Sequence, residues 1–137
     1  MPDGMAWVAY TVATAAGQAV RAASNVSGKW QTETVATIPF CQGCPLPERT
    51  AAGILGDGSP IVVYSDGRSV HAATKGREGW DDAIVDQPSE PGADGAGLSL
   101  AVDSSGDPHI AYYAGSSVDA ASKKGTGAWQ VVKVADI

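Results

Sequence analysis

The sequence predicts an all-β protein made of three tandem units of short antiparallel strands, and three observations predict it. First, three stretches of the 137-residue chain, 4–35, 58–85 and 106–134, read as copies of one another. Second, marker residues keep register between the copies. Trp30, Trp80 and Trp129 are 50 and 49 residues apart, and Val20, Val70 and Val118 are 50 and 48 apart. Each valine is followed at one offset by an alanine pair: Ala22-Ala23, Ala72-Ala73 and Ala120-Ala121. Tyr10, Tyr64 and Tyr112 line up, as do Gly4, Gly58 and Gly106. Third, Gly, Ser, Asp and Pro interrupt each copy every few residues, at the spacing of strands and tight turns.

A period of about 50 residues with four strands per unit lies in the range of β-propeller blades. The expected architecture is three tandem four-stranded antiparallel blades of a β-propeller, in one domain over residues 1–137. The blades fall at approximately 1–38, 50–87 and 96–137, and they form a partial or open arc.

The last copy shows the pattern most clearly. Residues 96–104 alternate apolar with small or polar residues, and then reach the turn residues Ser105, Gly106 and Asp107. Residues 109–114 are aromatic and β-branched, Gly115-Ser116 turns the chain into 117–124, and Gly125-Thr126-Gly127 turns it into 129–137. In the middle copy the same reading puts strands at 51–56, 60–65, 68–75 and 80–86. Pro60 and Pro108 stand at the head of the second strand, where a missing N–H is tolerated. In the first copy, residues 11–24 are alanine-rich and have helical propensity when taken alone. Alignment with 65–74 and 113–122 makes them a turn over 11–18 and a strand after it, with about four extra residues.

The first copy has no inner strand, because residue 4 already lies in the turn before the second strand. Eleven strands are therefore expected. Rings need about 4–8 blades, so three do not close comfortably. The expectation is a piece of a longer propeller, or an arc completed by another chain, rather than a well-formed closed dimer. Apolar end faces of such an arc promote self-association.

Glycine is frequent, at 17 residues, which lets neighbouring sheets approach closely. The net charge is −6 and the nine basic residues are scattered, with no run beyond Lys123-Lys124. That pattern argues against nucleic acid or an anionic membrane as partner. No apolar run approaches the ~18 residues of a membrane-spanning helix. The first residues lack the basic segment and apolar core of a signal peptide. Asn25-Val26-Ser27 matches a glycosylation sequon.

The segment LSLAVDSSGDPHIAYYAG (98–115), followed by a strand and a glycine-rich turn before Trp129, resembles the repeats of bacterial secreted β-propellers. The middle copy carries Gly58, Pro60, Tyr64 and Trp80 of that pattern. The resemblance implies an architecture similar to sialidase-like and lectin-like propellers, in a secreted or cell-surface setting. It does not carry an activity with it.

Cys41 and Cys44 are the only cysteines, in the proline-rich connection between the first two copies. A C-x-x-C pair can be half a zinc site, a redox pair, a local disulfide or two free thiols. Zinc lacks further ligands nearby, since His71 and His109 lie on strands, and a redox pair lacks a following helix. A loop-closing disulfide is the expected state, with free thiols the alternative. His109 aligns with Trp7 and Ile61, and His71 with Arg21 and Asp119, a position read as solvated. Residues 103–107 imitate a calcium loop, but Pro108 stands where glycine is needed and Ala114 where glutamate is. No metal, cofactor or catalytic residue is assigned.

Sialidase-type hydrolysis needs an arginine cluster, and only Arg21, Arg49, Arg68 and Arg77 exist. The carboxylates Asp81 and Asp82 are neighbours on a strand and so point to opposite faces. Loops on a rigid scaffold are where binding residues concentrate. Among the second-to-third-strand turns and the long connections, the ligand-binding candidates are Glu48, Arg49, Asp66 and Arg68. The function expected is a non-catalytic binding or scaffolding module for a glycan or protein. The alternative is a fragment of a sialidase-like glycoside hydrolase.

Overall fold

A computed structural model describes residues 4–39, 50–88 and 97–137. The described chain is all-β, with three antiparallel sheets and no helix. The first sheet contains β1 (Trp7–Thr14), β2 (Gly17–Ser24) and β3 (Gln31–Pro39) in that order. The middle sheet contains β4 (Thr50–Ile54), β5 (Pro60–Ser65), β6 (Val70–Gly76) and β7 (Gly79–Asp86). The last contains β8 (Ser99–Val102), β9 (Pro108–Tyr113), β10 (Ser117–Ser122) and β11 (Gln130–Asp136). Each strand pairs with the next along the chain, so every sheet is a meander whose register is set by its turns.

The alanine-rich residues 11–24 are strand, not helix. The expected loop over 11–18 is mostly strand too: β1 and β2 pair from Trp7↔Ser24 to Thr14↔Gly17, leaving only Ala15 and Ala16 to turn. The extra residues lengthen both strands because antiparallel pairing satisfies their backbone groups without a bulky loop.

The sheets pack face to face in chain order. Here a sheet's front face looks toward the following sheet and its rear face toward the preceding one. In β5, Ile61 and Val63 join one apolar cluster with Leu98, Ile110, Tyr112 and Ala121 of the last sheet. Val62 and Tyr64 join another with Val20, Ala22, Val35 and Ile38 of the first sheet. Both faces of β5 are thus covered, which is why it is a continuous apolar run, whereas β9 alternates buried and open positions. Each buried Val or Ile contributes about 1.5–3 kcal/mol. Strand β4 touches both β1 and β8, so these edge strands of the three sheets lie side by side.

The outer strand pairs each carry a β-bulge at one step: between Val20 and Arg21, Val70 and His71, and Val118 and Asp119 on the strand opposite the extra residue. The extra residues are Val35, Val85 and Val134. A bulge near a sheet edge increases local twist and disfavours further strand addition.

Two turns touch across the middle and last sheets. Gly56 N donates to Gly106 O at 3.0 Å. Gly106 has φ +85°, and a Cβ built on it would stand 2.2 Å from the Gly56 Cα. Only glycine permits both the backbone angle and the approach.

Candidate functional site

Of the candidates read from the sequence, Glu48 and Arg49 lie outside the described residues, as do Cys41 and Cys44 with their expected disulfide. Asp66 and Arg68 occupy the turn between β5 and β6. Asp66 Oδ1 accepts from the amides of Arg68 and Ser69 at 2.8 and 2.6 Å, and its Oδ2 lies 2.8 Å from His71 Nε2. Arg68 is exposed at the tip of that turn.

His71 is not the solvated residue expected from its variable position. Its side chain is 12% exposed. It stacks on Tyr64 with ring centroids 4.7 Å apart and planes 8° from parallel. Its Nδ1 lies 3.3 and 3.2 Å from the two carboxylate oxygens of Asp82, so Asp66 and Asp82 bracket the ring. The Tyr64 hydroxyl donates to Asp82 Oδ2 at 2.6 Å. Burial and the Asp82 carboxylate push the Tyr64 phenol well above its ordinary pKa of 10.0. For Asp66, partial burial favours the neutral acid, but the hydrogen bonds from His71 and the two turn amides outweigh it and hold the carboxyl below 3.8. The tyrosine is 2% exposed, so this network clamps the turn to the middle sheet and offers no substrate access to the phenol.

Three other sequence features take structural roles. Asp103 Oδ1 accepts from the amides of Ser105 and Asp107 at 2.9 and 3.0 Å, and its Oδ2 lies 2.8 Å from His109 Nε2. This is the side-chain geometry of a turn. Asn25 of the sequon accepts from Ala6 N and donates to Gly4 O, both at 2.7 Å, so its amide ties the entry of β1 to the end of β2. Asp81 and Asp82 do point to opposite faces, Asp82 toward Tyr64 and Asp81 into a cleft at the front of the sheet.

That cleft, of about 530 Å³, lies between the middle and last sheets, at the end opposite the β5–β6 turn. The middle sheet lines it with Ile61, Ala72, Thr74, Asp81 and Ala83, and the last sheet with Lys123 and Trp129. Asp57 and Asp107 also line it. Its volume is that of a small-molecule site.

The seam between the first and middle sheets explains why the cleft exists. There Trp7 meets Trp80 edge to face, with centroids 5.9 Å apart and an 84° angle. Lys75 Nζ lies 5.4 Å from the Trp7 ring centroid and donates to both Glu33 carboxylate oxygens at 2.7 and 2.8 Å. Trp80 Nε1 donates to Glu33 Oε1 at 2.8 Å. The positions aligned in sequence with Trp7, Lys75, Trp80 and Glu33 are Ile61, Lys123, Trp129 and Ala83, and all four line the cleft. Exchanging Trp for Ile and Glu for Ala removes the filling and leaves the lysine and tryptophan unmatched.

The cleft therefore holds an indole, an ammonium and a carboxylate. Among the described residues, neither Lys123 Nζ nor Asp81 has a side-chain hydrogen-bond partner. Asp107 Oδ1 accepts from Gly125 N at 2.9 Å, which fixes the turn at the rim. No grouping of three or more His, Cys, Asp or Glu suited to a metal ion occurs among the described residues. Comparison with protein-family models, with characterised proteins and with solved structures finds no match.

Proposed function

We propose that the chain is an arc of β-propeller blades that acts as a non-catalytic binding module and takes a carbohydrate in the cleft between the middle and last sheets. The propeller reading is supported by the contacts of β4 with the edge strands β1 and β8 of its neighbours and by meandering sheets stacked in chain order. The binding reading rests on one observation above all: a cleft of about 530 Å³ lined by Trp129, Asp81 and Lys123.

The chemistry matches a sugar better than a purely apolar ligand. The C–H face of a pyranose packs on an indole, while its hydroxyls need donors and acceptors around the rim. Lys123 supplies a donor, Asp81 an acceptor and Thr74 both. A ligand that leaves any of these unpaired in a dried cleft loses affinity. Binding has more support than hydrolysis, because the tyrosine–carboxylate pair formed by Tyr64 and Asp82 lies on the opposite face of the middle sheet from the cleft, with the tyrosine buried.

The test is a glycan array followed by titration of Trp fluorescence. Binding of at least one glycan class is expected, weakened at least tenfold by Trp129→Ala and by Asp81→Asn. Binding to no glycan, or undiminished binding by both variants, overturns the reading.

A further inference from the structure

The seams between sheets use a matched pair of positions, and each end of the stack shows one half of such a pair without its mate. On the front face the marker is the extra valine of the outer-strand bulge. Val35 is 9% exposed and sits in the cluster between the first and middle sheets. Val85, its aligned counterpart, packs against the cluster between the middle and last sheets. Val134, the third, is 64% exposed. On the rear face the marker is tryptophan. Trp80 packs on the same cluster as Val35, and Trp129 on the same cluster as Val85. Trp30, aligned with both, is 59% exposed.

The pattern extends beyond these markers. On the front of the last sheet, Val132 is 61% and Tyr113 46% exposed, and on the rear of the first sheet Val8 is 48% exposed. Two of these have aligned counterparts enclosed in the seams: Ser65, aligned with Tyr113, is 3% exposed, and Val62, aligned with Val8, is 0% exposed. The two open faces stand at opposite ends of a stack with the middle sheet between them, so one three-sheet stack cannot bring them together.

We propose that the front face of the last sheet docks on the rear face of the first sheet of a second copy of this chain, with Val134 and Val132 receiving Trp30 and Val8 of the partner copy. The joint continues the two seams already in the molecule, with the same face polarity and the same aligned positions. It is heterologous, since one copy contributes a front face and the other a rear face.

That polarity makes a sharp test. Sedimentation equilibrium of the parent chain should show a mass that rises with concentration to at least twice that of one chain. Val134→Asp spoils only the front face and Trp30→Asp only the rear face. Both positions lie open on strand or turn surfaces, and unchanged circular dichroism and melting of the single-chain species will show that each variant folds. Each variant alone should remain at the mass of one chain. An equimolar mixture should recover a two-chain species and nothing larger, because one good front face and one good rear face remain. A parent chain that stays single at millimolar concentration overturns the proposal and assigns the open faces to some other occupant, such as a further sheet of a longer polypeptide. Full association of either variant alone overturns it too, because a front-to-front or rear-to-rear contact would then be responsible.

Discussion

The hydroxyl of Tyr112 on β9 crosses from the last sheet to the middle one and donates to Asp86 Oδ2 at 2.6 Å. The tyrosine is 1% exposed. Burial and the Asp86 carboxylate raise the phenol well above 10.0, so it remains a donor throughout the physiological range. A hydrogen bond to a charged group contributes about 1.5–3 kcal/mol. Tyr112→Phe should lower the stability to urea by roughly that amount, with little change in the m-value. Tyr64→Phe should have a similar cost, since its hydroxyl makes the matching bond to Asp82 inside the middle sheet. An unchanged urea midpoint in both variants would show that these bonds add nothing net.

Gly106→Ala adds a methyl group where the Gly56 backbone already stands, at a φ of +85°. Steric displacement and backbone strain together should cost roughly 2–4 kcal/mol. Gly58→Ala provides the control, because its φ is +87° but nothing lies within 4 Å. That change should cost only the strain, about 1–2 kcal/mol. Thermal melts of the two variants separate the terms, and equal melting temperatures would dispose of the turn-to-turn contact.

Acid should weaken the molecule through two turn carboxylates. Hydrogen bonds from His71 and turn amides, acting against partial burial, hold Asp66 below 3.8, while His109 and turn amides hold Asp103 below 3.8. A depressed folded-state pKa means that the stabilisation is present above the unfolded value and lost as pH falls through the folded one. Stability should therefore be level from neutrality to about pH 5 and fall steadily below about pH 4. Asp66→Asn should be less stable at pH 7 and lose less on acidification. Parallel pH-stability curves for parent and variant would exclude Asp66 as a contributor.

Ala83→Glu places a carboxylate where Glu33 stands in the neighbouring seam. Lys123 and the Trp129 indole N–H are available to it, as Lys75 and Trp80 are to Glu33. Ala83 is exposed, so the change in stability should lie within about 1 kcal/mol. The cleft, however, should be obstructed. The expected result is an unchanged melt with at least a tenfold loss of carbohydrate affinity. Affinity equal to the parent's would place the ligand elsewhere.

Much of the strand pattern was legible in the sequence because local chemistry dictates it. Pro60 and Pro108 do head β5 and β9, and the glycines at 58 and 106 do turn the chain at positive φ. The alanine-rich hairpin shows the limit: alignment excluded a helix but read residues 11–18 as a turn, whereas the two-residue turn at Ala15-Ala16 depends on backbone pairing over the hairpin's whole length. Asp66 was expected as a ligand-binding residue of a loop, and its oxygens instead serve turn amides and His71, which charge and loop position alone do not reveal. The cleft was missed because it belongs to neither sheet. Its signal was present in the aligned pairs Trp7 with Ile61 and Glu33 with Ala83, as a loss of bulk and of countercharge. Reading it required knowing which faces meet.

The double cover on β5 has a dynamic consequence. Its side chains cannot reach water unless one of the flanking sheets departs, whereas β11 is exposed along its length. Amide exchange should thus run in a gradient, fastest in the outer strands and slowest at Ile61, Val62 and Val63, whose protons await the largest opening event. In a stack of this kind the ends loosen first and the centre records the global transition. Uniform exchange across the three sheets would instead indicate a single cooperative block, with the centre no more protected than the ends.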